Sequence, residues 1–125
     1  ISFEFVIKKK KNFKVVHYLG GFKFGGIEKL VLDLCQEQLL MEELSPKIMV
    51  LHGKGEYTEK FKKLDIPIID LNAKFTYIFG FKQIKRITKQ IHKNDIIHFH
   101  TFHIILIALA IIKRKKIVFT EHGIF

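Results

Sequence analysis

The chain has 125 residues, 48% of them hydrophobic and 27% charged, with two prolines and a single cysteine. That is too apolar for a disordered tail, too short for two independent cores, and incompatible with a disulfide framework, so a reducing compartment is expected. Its formal charge of +10 points to polyanionic partners, but only Arg86 and Arg114 are arginines, and base readout in nucleic acids favours the guanidinium fork over lysine.

Residues 1–12 read as an edge strand or an extension, with lysines at 8–11 behind an apolar stub, the reverse of a signal peptide's order. Residues 13–19 form a β-branched and aromatic run that stops at Gly20 and Gly21, predicting a buried strand. After the loop GGFKFGG, Ile27, Leu30, Val31, Leu34, Gln38 and Met41 recur at helical spacing, and the helix ends before Ser45-Pro46. A second strand is expected at 47–52, a short charged helix at 56–64 and a third strand at 66–71. Phe81, Ile84, Ile87 and Ile91 then mark an amphipathic helix with Lys82, Lys85, Arg86, Lys89 and Lys93 largely on its wet side. A fourth strand follows at 95–100. Thr101 is placed to cap an apolar helix ending at Ile112, and a fifth strand covers 116–120. The apolar stretch 104–112 is far shorter than the ~20 residues of a spanning helix.

Strands that are continuous apolar runs, alternating with helices, predict a Rossmann-like open parallel sheet with helices on both faces. With the order 3-2-1-4-5, ligands bind outside the carboxyl ends of strands one, four and five. Residues 20–26, 98–101 and 121–123 occupy those ends, and His98, His100, His103 and His122, four of the seven histidines, fall at or near them.

Paired glycines opening a helix let backbone amides approach an anion. Ile27 and Glu28 stand where a Walker A loop needs Lys and Ser or Thr, and no glycine pair has the spacing of a dinucleotide fingerprint. His98 and His100, alternate residues of one strand, could share a metal. Asp95 is the sole carboxylate near them and lies at the strand's far end, so a polar, metal-free role for one of the pair is the expectation. His17, His52 and His92 read as structural, and Cys35 as a buried small hydrophobe.

Taken together, GGIEKLVLDL (25–34), DIIHFHTF (95–102) and IVFTEHG (117–123) resemble the N-terminal domain of family 4 (group 1) retaining glycosyltransferases with the GT-B fold. The resemblance runs from about residue 13 to the end. It implies transfer of a sugar from a nucleotide-sugar donor to a glycan or lipid-linked acceptor, with retention and without a metal or other cofactor, in polysaccharide or glycolipid assembly for the cell envelope. By the same resemblance, the amides of Gly25 and Gly26 face the donor diphosphate, His122 is the catalytic residue beside the donor sugar, and His100 and Glu28 line the acceptor side. The family's C-terminal donor-binding domain has no counterpart here. Residues 13–125 are therefore expected to be an incomplete acceptor-side domain, inactive alone, cytoplasmic and peripheral on the inner face of the plasma membrane through its lysines. Competing expectations are a non-catalytic module whose basic face binds anionic membrane or nucleic acid, and a metal-dependent hydrolase using His98, His100 and His122.

Overall fold

The structure, a computed structural model, describes residues 12–22, 25–74 and 78–121. Five strands alternate with four helices: β1 (Phe13–Phe22), α1 (Gly25–Leu39), β2 (Leu44–Gly55), α2 (Tyr57–Lys63), β3 (Ile68–Asp70), α3 (Phe81–Lys93), β4 (Ile96–Phe99), α4 (Ile104–Ile112) and β5 (Lys116–Phe119). The sheet order is β3-β2-β1-β4-β5, every pairing is parallel, and the open Rossmann-like arrangement is the one the alternation predicts. No helix among the described residues is long and apolar enough to cross a membrane. The expected extension over 1–12 lies, apart from Asn12, outside the described residues.

Side chains alternate across the sheet with period two, which divides the core into two layers. Val16, Tyr18, Met49, Leu51, Ile97 and Phe99 face one way and pack against Ile87 and Ile91 of α3 and Leu106 and Ala110 of α4. Leu19, Ile48 and Val50 face the other way, against Val31 and Cys35 of α1 and Tyr57 and Phe61 of α2. Odd positions of β1 therefore point towards α1, and His98 of β4, with His100 just beyond the strand's end, shares that face.

β2 runs Leu44–Gly55 rather than 47–52 and takes in Ser45 and Pro46, β3 shrinks to Ile68–Asp70, and two further boundaries differ from the sequence reading for physical reasons. β1 does not stop at the glycines: Gly21 pairs with His52 and Phe22 with Gly55 across a register shift, and no described glycine has positive φ. Gly20 and Gly21 are thus extended strand rather than a tight turn. Thr101 does not cap α4 either. His103 is the N-cap in extended conformation, and its Nδ1 accepts the Leu106 amide at 3.4 Å, so an imidazole takes the place usually held by a hydroxyl.

Candidate functional site

A cavity of about 340 Å³ opens at the carboxyl ends of β1, β2 and β4, walled by Gly20, Gly21, Ile27, Glu28, His52 and Thr101 among others. Its position is the switch point of the sheet, between β1, whose crossover runs to β2 on one side, and β4, whose crossover runs to β5 on the other. The glycines keep it open. A Cβ on Gly20 would meet nothing within 4 Å, so the missing side chain there leaves the cavity open and relieves no crowding.

α1 begins at Gly25, and its first turn carries Ile27 and Glu28 onto the wall. The unpaired amides of a helix's first turn and its dipole favour negative charge there. Glu28 itself is 6% exposed, and its Oε2 has no hydrogen-bond partner among the described residues. A buried carboxylate oxygen without a donor is costly. It fits an acceptor waiting for a ligand hydroxyl or amine.

The structure places the other predicted site residues unequally. Gly26 is exposed at the mouth of the helix, and the Gly25 backbone opens it. His122 lies outside the described residues. His100 is buried beneath the cavity, with its amide bonded to the Tyr18 carbonyl at 2.9 Å and its Nε2 2.9 Å from His17 Nδ1; Thr101 takes the place on the wall. His52, read from the sequence as structural, is exposed and rims the cavity together with Lys54. The signal that could have found it is that His52 and Lys54 follow the apolar run of β2 at its carboxyl end.

Three imidazoles cluster under this floor. His17 is fully buried on β1 and stands opposite His98 in the β1–β4 register. Its ring centroid is 5.1 Å from those of both His98 and His100, which stack on each other at 4.0 Å. With Gln38 Oε1 as acceptor at 2.7 Å, His17 carries its proton on Nε2, and Nδ1 accepts from His100 Nε2. His98 Nε2 pairs with Thr120 Oγ1 at 2.6 Å. Burial pushes the His17 pKa down to about 4; the Gln38 bond opposes that shift, and the neighbouring His98 adds to it.

Residues 24–125 match the family model described as Glycosyltransferase Family 4. No curated protein and no solved structure matches the chain.

Proposed function

The chain belongs to glycosyltransferase family 4, and from that premise we propose that it forms the acceptor-side half of a GT-B enzyme moving a sugar, with retention, from a nucleotide-sugar donor to a glycan or lipid-linked acceptor. The observation that carries this reading is the open cavity at the α1 N-terminus, lined in part by Glu28, whose buried Oε2 has no hydrogen-bond partner among the described residues. A sugar is dense in hydroxyl donors, and one of them satisfies that oxygen.

In the transfer, the bond between the anomeric carbon and the diphosphate oxygen breaks, the acceptor oxygen bonds to that carbon on the same face, and the acceptor hydroxyl's proton passes to the departing diphosphate. Negative charge grows on the departing diphosphate. In this reading the amides of Gly25 and Gly26 and the α1 dipole stabilise it without reorganising. Glu28 orients the acceptor, His100 supports the floor beneath it, and His122 donates to a hydroxyl of the donor sugar. None of these steps uses a metal. The reading includes a place in cell-envelope polysaccharide or glycolipid assembly, at the inner membrane surface.

The test is a transfer assay on the protein joined to its donor-binding half. Glu28→Gln retains the shape but presents an amide and removes the charge, and should raise the KM for acceptor while leaving donor binding unchanged. His122→Ala should cut turnover far more than it lowers the melting temperature. Wild-type kinetics in both variants would overturn the assignment.

A further inference from the structure

The sequence offers two metal-competent histidines on one strand, which is half a site; the fold adds a third from the neighbouring strand. One ring nitrogen of each of His17, His98 and His100 lies within 4.8 Å of the others. A tetrahedral zinc ion with bonds of about 2.0–2.1 Å holds its nitrogens about 3.3 Å apart. His17 Nδ1 and His100 Nε2 already stand at 2.9 Å, so an adjustment on the order of an ångström in the rings closes the set.

Three further observations favour a ligand set over accidental crowding. Parallel strands covered on both faces normally carry continuous apolar residues, yet here three imidazoles occupy one face of two adjacent strands, with His17 fully buried and His100 only 3% exposed. The outer ring nitrogen of His17, Nε2, is already held by Gln38 while Nδ1 faces His100, which is how metal-binding imidazoles are oriented. His98 is half-buried, not sealed, so an ion has a way in.

We propose that His17, His98 and His100 bind a divalent transition-metal ion of the zinc class, joining β1 to β4 beneath the cavity. Three neutral nitrogens and no carboxylate select zinc, cobalt, nickel or copper and reject magnesium and calcium. The fourth position goes to water or a small anion. On binding, the His17–His100 hydrogen bond is exchanged for two metal bonds, and the His100 ring proton moves from Nε2 to Nδ1, so that tautomer change releases no proton. The ion is a structural clamp and takes no part in the transfer.

The chain, purified without chelators, is dialysed against zinc and then against metal-free buffer, and its metal is counted by plasma mass spectrometry; cobalt uptake is followed by visible absorption. One equivalent per chain is expected, with a rise in melting temperature and a cobalt band of nitrogen-rich coordination, none of it reproduced by magnesium. His98→Ala, at the half-exposed member of the trio, should lose the band with circular dichroism unchanged, while His92→Ala on the exposed side of α3 should keep it. Failure of wild-type protein to retain metal, or equal uptake by His98→Ala, would overturn the site and leave a hydrogen-bonded trio. Metal count and sugar transfer are separate readouts, so either proposal can fail alone.

Discussion

His17 and Gln38 are joined by a 2.7 Å contact from Nε2 to Oε1 where the last turn of α1 crosses the face of β1. Removing one partner of a buried hydrogen bond exposes the other to its full desolvation cost. Gln38→Ala should therefore destabilise the fold by about 1–3 kcal/mol, although Gln38 is itself only partly buried. Urea denaturation measures this, and an unchanged midpoint would show that His17 finds another acceptor.

The layer between the sheet and α1–α2 rests on few large side chains, and Phe61 on the seven-residue α2 is fully buried among them. Phe61→Ala should cost about 3–5 kcal/mol. Leu40, 78% exposed just beyond α1, supplies the contrast: Leu40→Ala should stay within about 0.5 kcal/mol. Equal losses would mean that the α2 layer does not hold the domain together.

Cys35 lies fully buried in the same layer, and burial pushes its thiol up to about 12 from an ordinary 9.0. A raised folded-state value means that the protonated thiol contributes stability in full below pH 9 and loses that contribution as the pH climbs from 9 towards 12. Iodoacetamide at pH 8 should leave Cys35 unmodified in the folded protein and alkylate it within minutes in urea. Rapid labelling of folded protein would contradict both the burial and the neutral thiol.

The parallel sheet and its strand order were legible because apolar runs, glycine breaks and helical spacing all agree in this chain. The site was legible in part, since strand ends are found by counting but contacts are not. Glu28 could be placed in the first turn of α1 from its distance to Gly25, whereas the loss of its Oε2 partner depends on what the cavity walls leave out. His17 read as one core histidine because nothing local states that β1 and β4 are neighbours in a register that sets it against His98. His103 displaced Thr101 as the α4 cap because the chain stays extended two residues further than spacing alone indicates.

Two glycines of similar appearance should respond oppositely to a side chain. At Gly53 an added Cβ would stand 2.6 Å from Asp70 Oδ2 and 2.9 Å from its Cγ, and Asp70 is not free to swing away because its Oδ1 accepts the Asn72 amide at 2.8 Å. Gly53→Ala should destabilise by about 1–3 kcal/mol. Gly20 is extended and its Cβ direction is open, so Gly20→Val should fold within about 0.5 kcal/mol of the parent yet fill part of the cavity. In the enzyme with its donor half, that variant should lose acceptor affinity at unchanged melting temperature. Full activity in Gly20→Val would place the acceptor elsewhere.

The +10 charge is concentrated in part on α3, where Lys82, Lys85, Arg86, Lys89 and Lys93 are exposed beside Phe81 at 84% and near Ile78 at 67% exposure. Cations flanking an exposed aromatic suit an anionic lipid surface better than bulk water. Each lysine near such a surface contributes about 1 kcal/mol, declining with salt. Lys82→Glu with Lys89→Glu should then weaken binding to vesicles rich in phosphatidylserine by at least about tenfold, and raised salt should weaken the parent likewise. Phosphatidylcholine vesicles are the control for the aromatic contribution. Sedimentation with both vesicle types decides the matter. Equal binding to neutral and anionic vesicles would remove the membrane role and leave the lysine excess to AT-rich codon usage, which the accompanying abundance of Ile and Phe also fits.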